Sequence, residues 1–142
     1  MITCSRRIQF CAGHRVLNHE SKCANPHGHN YVAWIHARSP ELDSIGRVID
    51  FSVLKAMVGG WIDSFWDHTF IVYEQDYDLI RSLIPFQKNK PLWIAPFNPT
   101  AENMAQYLLA IAPKLLDGTG VEVYKIELYE TENCKADAIL AE

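Results

Sequence analysis

Three histidines carry the clearest chemical signal in this 142-residue sequence. His27 and His29 flank Gly28 within the segment CANPHGHNY, and His14 closes an earlier run of alternating apolar and polar residues. In a strand, side chains two positions apart lie on the same side, about 6.5 to 7 Å apart along the chain, so both imidazoles can reach one ion. Three neutral imidazoles that leave a fourth position open form a typical ligand set of catalytic zinc. The pattern predicts a Zn2+ site at these three histidines.

Cys23 is a second candidate for chemistry, because it lies four residues before His27 in an irregular polar segment. Nearby positive charge lowers the pKa of a thiol, so Cys23 could serve as a fourth ligand, a nucleophile or a general base. An inert, half-exposed thiol is the alternative. Any one of the three histidines, taken alone, could also be an ordinary core or surface residue without a metal. The combination of all three favours a metal site.

Three further ionisable residues could complete a site. Asp67 directly precedes His68, and a carboxylate beside an imidazole can orient it for proton transfer, although a solvated helix end explains the pair equally well. Glu130 has the parity of the apolar face of a late strand, where a buried carboxylate needs a donor. Paired N–H groups of a flat heterocycle would supply such donors, and a glutamate that emerges as the strand frays is the alternative.

The hydropathy pattern predicts the elements that must position these residues. Alternation predicts strands over residues 2–14, 27–38, 124–130 and 136–140. Helical spacing predicts one helix from Asp50 to Phe65 and a second from its N-cap Thr100 to Leu116, with Pro113 bending or ending its regular part. This order, β-β-α-α-β-β, predicts an α+β fold in which a four-stranded antiparallel sheet has two helices packed on one face.

The segment between the two predicted helices is the least regular part of the sequence. Residues 85–99 hold four of the seven prolines, which predicts a loop with one short extended piece at residues 92–95. So small a sheet also has open edges, and natural proteins cover or pair such edges, which favours assembly of several subunits.

Length, charge and cysteine usage narrow the class of protein. A chain of 142 residues fits one domain, and we expect a single domain over residues 1–142. The net charge of -4 argues against a nucleic-acid or anionic-lipid partner and favours a small-molecule ligand. Because no leader pattern or membrane-spanning apolar run is present, we expect a cytoplasmic protein without membrane contact. Four cysteines without a CxxC pair predict reduced thiols.

Six segments, in order along nearly the whole chain, resemble the 6-pyruvoyl-tetrahydropterin synthase and 6-carboxytetrahydropterin synthase family. They are FCAGHRV, CANPHGHNY, VIDFSVLK, WDHTF, NPTAEN and LYETEN. The resemblance implies the tunnelling fold, a four-stranded antiparallel sheet with two helices on one side. It also implies homohexamers with active sites between subunits, zinc held by His14, His27 and His29, and 7,8-dihydroneopterin triphosphate as the substrate.

The resemblance further implies roles for the remaining candidates. Cys23 matches the general base, Asp67 and His68 match the pair that supports proton transfer, and Glu130 matches the acid that anchors the pterin ring. Thr100 matches a position that lines the pterin pocket, although its predicted capping of the second helix explains it equally well.

The spacing of Cys23 and His27 bears on which branch of the family the chain resembles. Three residues separate them, as is typical of the carboxy branch, whereas five are typical of animal pyruvoyl enzymes. The carboxy branch releases acetaldehyde and triphosphate and forms 6-carboxy-5,6,7,8-tetrahydropterin, a step toward queuosine. A pyruvoyl synthase, a non-catalytic pterin- or zinc-binding homologue and a zinc hydrolase stay open as alternatives. Arg15 and Lys22 are the nearest cationic candidates for the triphosphate.

Overall fold

A computed structural model describes residues 1–141 of the chain. At its centre, strand β1 (Ile2–His14) pairs antiparallel with β2 (His27–Ser39) over the whole length of both. Alternate residues of each strand face the core, as the sequence predicts, because an apolar side chain at every second position can be buried only on one face of the sheet. The register places His14 opposite His27 and Ala12 opposite His29.

The two late strands also form as predicted, apart from one or two residues at their ends. Strand β5 (Glu122–Thr131) pairs antiparallel with β2, and β6 (Cys134–Ile139) pairs antiparallel with β5 through a tight turn. The pairing of β5 with β6 shifts register between Tyr129 and Thr131. This shift is a β-bulge at Glu130, and such bulges re-aim the side chain of the extra residue.

The predicted α+β class is confirmed, and the four predicted strands pair antiparallel, but the prediction of a sheet with only four strands, in the order β-β-α-α-β-β, is wrong. The sheet has six strands in the order β4-β3-β1-β2-β5-β6, and β3 (Thr69–Tyr73) pairs in parallel with both β1 and β4 (Trp93–Ala95). Parallel neighbours need a crossover connection, and helix α3 (Tyr77–Leu83), also absent from the prediction, lies in the connection from β3 to β4. The extended piece predicted at residues 92–95 corresponds to β4.

The first predicted helix forms with one irregularity. It consists of α1 (Phe51–Leu54), a π-helical turn over Lys55–Gly59, and α2 (Gly60–Phe65). Asp50 caps the start, its carboxylate accepting a hydrogen bond from the Ser52 N–H. Residues at four-residue spacing are fully buried because they face the core, namely Leu54, Val58 and Ile62.

Helix α4 (Ala101–Leu115) begins at the predicted N-cap, where the Thr100 hydroxyl accepts a hydrogen bond from the Asn103 N–H at 3.1 Å. Pro113 lies in its last turn, so the helix ends two residues later. The buried stripe of α4 shares one core with α1, α2 and the inner face of the sheet. Among the described residues, no helix is long and apolar enough to cross a membrane.

Candidate metal centre

The ends of β1 and β2 bring three imidazoles together. His14 and His27 are paired across the two strands, and His29 follows on the same side of β2. One ligand nitrogen from each ring lies within 4.8 Å of the others, and the ring centroids are 4.7 to 5.1 Å apart. The predicted convergence of these histidines is therefore present in the fold. Gly28, between the two imidazoles of β2, lets the backbone of β2 approach closely, since a Cβ there would lie 3.2 Å from the Ala12 carbonyl oxygen.

Hydrogen bonds to main-chain carbonyls fix the proton on two of these rings. His14 Nδ1 lies 2.7 Å from the Pro99 oxygen, and His27 Nδ1 lies 2.6 Å from the Asn25 oxygen. A carbonyl oxygen only accepts, so in both rings Nδ1 carries the hydrogen and Nε2 keeps its lone pair. Such outer partners orient the imidazole ligands of metals and set their tautomer.

Two of the free nitrogens are buried without a partner. The Nε2 atoms of His14 and His29 have no hydrogen-bond partner among the described residues, although both are inaccessible to solvent. A buried polar atom left unpaired costs free energy. A cation bound by the three lone pairs would remove that cost, so the donor set fits a transition metal such as zinc.

The local environment favours the uncharged forms of His14 and His29. Burial lowers the pKa of His14 to about 4, the hydrogen bond to Pro99 opposes the shift, and the neighbouring His27 and His29 add to it. Burial and then the proximity of His27 also lower the pKa of His29. Neutral imidazoles offer lone pairs to a metal at neutral pH without first losing a proton.

Glu130 faces the three histidines from the bulge in β5. Its Oε1 lies 4.0 Å from His14 Nε2 and its Oε2 lies 3.9 Å from His29 Nε2. Burial raises the pKa of Glu130, the nearby carboxylate of Glu102 adds to the rise, and His27 opposes it. The carboxylate is a quarter exposed, so a ligand held at the imidazoles could contact it directly.

A cavity of about 360 Å3 adjoins Glu130 between the start of α4 and the β5–β6 hairpin, and Glu102, Glu130 and Lys135 are among its lining residues. Thr100 does not line it, and the observed contact of its hydroxyl is the helix cap. The sequence prediction assigned Glu102 no part in the site. Its place two residues after Thr100, in the first turn of α4, is the signal that could have indicated it.

Asp67 and His68 form a hydrogen-bonded pair, with Asp67 Oδ2 2.7 Å from His68 Nδ1. The other oxygen of Asp67 accepts from the Cys11 N–H at 2.9 Å, and the His68 N–H donates to the Cys11 carbonyl at 2.6 Å. Burial alone would raise the pKa of Asp67, but the hydrogen bonds from Cys11 and His68 outweigh it and hold the pKa below its usual value.

The backbone at His68 is unusual, since its φ of 62° lies in the left-handed region. That conformation turns the ring back toward its own neighbour, whereas adjacent side chains often point apart. The imidazole itself is 74% exposed, and it lines one cavity of about 480 Å3 together with His27 and His29.

Cys23 lies in a single 3-10 turn, Lys22–Ala24, in the loop that joins β1 to β2. The thiol is half-buried, and the carbonyl of Cys23 accepts a hydrogen bond from the Val16 N–H at 2.9 Å. Among the described residues, the group of converging ligand atoms contains the three imidazoles without this sulfur. The Cys23 sulfur therefore does not belong to the set of atoms that could bind one ion together with the imidazoles.

Arg15, one of the two cations predicted as candidates for an anionic substrate, has another partner. Its Nε and Nη2 donate to the two carboxylate oxygens of Asp76 at 2.6 and 2.5 Å, and Asp76 is only 3% exposed. Such a bidentate pair is geometrically specific. Arg15 thus fastens the chain after His14 to the loop before α3, while Lys22 is exposed.

Comparisons with known proteins find relatives that cover nearly the whole chain. A sequence model of the 6-pyruvoyl tetrahydropterin synthase family matches residues 3–139. A protein of Rickettsia bellii named 6-carboxy-5,6,7,8-tetrahydropterin synthase is 40% identical over 135 residues, which cover 94% of this chain and 97% of the relative.

Two solved structures have a similar fold. An uncharacterised protein of Wolinella succinogenes superposes with a TM-score of 0.81 at 25% identity, covering 97% of each chain. The 6-pyruvoyl tetrahydropterin synthase of Caenorhabditis elegans superposes with a TM-score of 0.69 at 24% identity, covering 99% of this chain and 96% of that one.

Proposed function

Since the chain belongs to the 6-pyruvoyl tetrahydropterin synthase family, we propose that it is a zinc-dependent 6-carboxy-5,6,7,8-tetrahydropterin synthase. The substrates would be 7,8-dihydroneopterin triphosphate and one molecule of water, which supplies the additional oxygen of the carboxylate, and the products would be 6-carboxy-5,6,7,8-tetrahydropterin, acetaldehyde and triphosphate. The observation that carries the proposal is the placement of three imidazoles around one point, with the Glu130 carboxylate about 4 Å from two of them. The 40% identity to a relative of that name supports the carboxy branch.

His14, His27 and His29 would hold the zinc ion through nitrogens that carry no hydrogen. Bound there, zinc would supply Lewis acidity toward the side-chain oxygens of the substrate. The carbonyls of Pro99 and Asn25 would keep two of the rings aimed at the ion through their Nδ1 hydrogens. The site would therefore bind the metal with little rearrangement of the protein.

Glu130 would anchor the pterin ring. A carboxylate presents two acceptors to paired N–H groups, and its half-buried position would make those hydrogen bonds strong, since water competes less there. Because Glu102 lines the same cavity and its charge raises the pKa of Glu130, a ligand that brings donors to both carboxylates would be favoured. Thr100, by contrast, is proposed to contribute mainly through its cap on α4.

Cys23, as a thiolate, would remove the carbon-bound proton of the substrate side chain, and the Asp67–His68 pair would carry protons to and from the site. Asp67 is held ionised by its hydrogen bonds, and it keeps the hydrogen of His68 on Nδ1. The exposed Nε2 edge of His68 is then the acceptor that can exchange a proton with substrate or solvent.

We also propose a homohexamer with active sites between subunits. The large exposure of His68 supports this arrangement, because an imidazole used in catalysis would gain a water-excluding neighbour on assembly. Strands β4 and β6 end the sheet, and their outer edges could pair with other copies.

The deciding assay supplies 7,8-dihydroneopterin triphosphate to the zinc-loaded protein and analyses the products by mass spectrometry together with a trap for acetaldehyde. We expect equimolar acetaldehyde and 6-carboxy-5,6,7,8-tetrahydropterin. A 6-pyruvoyl product would show that the protein is a 6-pyruvoyl-tetrahydropterin synthase instead. Tight binding of the pterin without any product would favour a non-catalytic pterin-binding protein.

A further inference from the structure

One side chain connects two segments of the site that are distant in sequence. The amide of Asn98 lies against the backbone of Leu17: its Oδ1 accepts from the Leu17 N–H at 3.0 Å, and its Nδ2 donates to the Leu17 carbonyl at 3.0 Å. Both main-chain groups of Leu17 are thus paired as they would be in a sheet. Asn98 in this way fastens the β1–β2 loop to the segment before α4.

Each side of this contact leads to a proposed functional residue. Next to Asn98, the Pro99 carbonyl accepts from Nδ1 of His14 at 2.7 Å. Next to Leu17, the Val16 N–H donates to the Cys23 carbonyl at 2.9 Å. A displacement of Asn98 relative to Leu17 would therefore move the Pro99 carbonyl that orients His14. It would also move the turn that carries Cys23.

We propose that Asn98 is a positioning residue that sets the Cys23 loop and the ring of His14 in one fixed relation to the metal site. The part of this inference that concerns Cys23 rests on the proposed function, whereas the part that concerns His14 rests on metal binding alone. Asn98 itself would touch neither the metal nor the substrate.

The chemistry of the contact explains why an amide stands at this position. Leu17 offers one donor and one acceptor side by side, and only a side-chain amide presents the matching acceptor and donor in one plane. In Asn98→Asp, a carboxylate oxygen would face the Leu17 carbonyl, and two acceptors in contact repel each other. Asn98→Ala would leave both backbone groups without their partner.

A second asparagine supplies the matched control. Nδ2 of Asn103 donates to the main-chain carbonyl of Asn98 at 2.9 Å, so Asn103→Ala removes one hydrogen bond of the same segment. It leaves the two bonds between the Asn98 side chain and Leu17 in place. A difference between substitutions at the two positions then reports on the Leu17 contact rather than on the stability of the segment.

The experiment compares wild type, Asn98→Asp, Asn98→Ala and Asn103→Ala by three measurements: the dissociation constant of zinc from chelator competition, the visible spectrum of the Co2+-loaded protein, and kcat with KM. For substitutions at Asn98 we expect zinc binding to weaken about 10- to 100-fold, because the Pro99 carbonyl that orients His14 would be displaced, and losing such a partner of a metal ligand typically has an effect of this size. We also expect an altered Co2+ spectrum and a loss in kcat larger than the change in KM. Asn103→Ala should change each quantity by less than about threefold.

The inference is overturned if folded Asn98→Asp and Asn98→Ala have zinc dissociation constants within about twofold of wild type and an unchanged Co2+ spectrum. A twofold change is well below the effect that is typical when a residue orienting a metal ligand is lost. A lowered melting temperature alone would also overturn it, since a merely structural contact would produce that result. If the alanine variant does not fold, Asn98→Asp decides, because it keeps the volume and the acceptor for the Leu17 N–H. Zinc affinity and the Co2+ spectrum need no turnover, so they separate failure of this inference from failure of the proposed reaction.

Discussion

Protonation of His14 should make the stability of the metal-free protein depend on pH in a defined window. The pKa of His14 falls from 6.5 to about 4 on folding because the ring is buried. Between these values the unfolded chain binds a proton at this residue and the folded chain does not, so the free energy of unfolding decreases as the pH is lowered. Below a pH of about 4 both states are protonated, and His14 contributes no further change.

The size of the effect follows from the shift. One pKa unit corresponds to about 1.4 kcal/mol, so the full shift is worth about 3 kcal/mol and the part between pH 7 and pH 4.5 about 2 kcal/mol. His14 is 1% exposed, so screening by solvent is small. A change of this size is a large fraction of the stability of an ordinary domain.

The measurement is urea unfolding of chelator-treated protein at pH 7 and pH 4.5, followed by tryptophan fluorescence, which reports on the fully buried Trp66. Other groups titrate over the same range, so wild type is compared with His14→Gln, whose amide can still donate to the Pro99 carbonyl. We expect the stability difference between the two proteins to change by about 2 kcal/mol between the two pH values, wild type losing more.

Equal losses in wild type and His14→Gln would refute the reasoning. The ring of His14 would then accept a proton as readily in the folded protein as in the unfolded chain. In that case burial would not keep the imidazole neutral, and the argument that the site is prepared for a metal would lose its electrostatic support.

Two further predictions concern the site and its scaffold. Cys23→Ala should lower turnover by about 10²- to 10⁴-fold, the usual contribution of a general base, while elemental analysis should find a near-normal zinc content. His27→Ala should instead lose the zinc. A Cys23→Ala protein without zinc would identify the thiol as a ligand. Gly13→Ala should lower the free energy of unfolding in urea by about 1 to 3 kcal/mol, because the added Cβ would lie 2.6 Å from the Phe70 ring. In the control Gly60→Ala the added Cβ has open space around it, so the free energy of unfolding should be unchanged or higher.

The sequence predicts the four antiparallel strands because each buries every second residue over many positions, as β1 and β2 do. Strands β3 and β4 are too short for such a pattern to appear. Three of the five residues of β3 are buried, which reads as a plain apolar run, and β4 has only three residues. Their parallel pairing also depends on the crossover through α3, which local patterns do not encode.

The same distinction applies to the site. The spacing of His27 and His29 predicts their convergence because a strand converts a separation of two residues into a common side. The carbonyls of Pro99 and Asn25 could not be predicted in this way, since every residue carries a carbonyl and only the fold selects the one that meets a ring. The aim of Glu130 likewise depends on the register shift at the end of β5.

The left-handed backbone at His68 has a consequence for how the sequence can change at that position. A residue with a Cβ pays about 1 to 2 kcal/mol for this conformation, which glycine adopts freely and asparagine tolerates. Replacement by either would relax the backbone but would also remove the hydrogen bond between the imidazole and Asp67, so the two effects on folding stability oppose each other. Under the proposed function, the imidazole of His68 would serve proton transfer at a cost in backbone free energy.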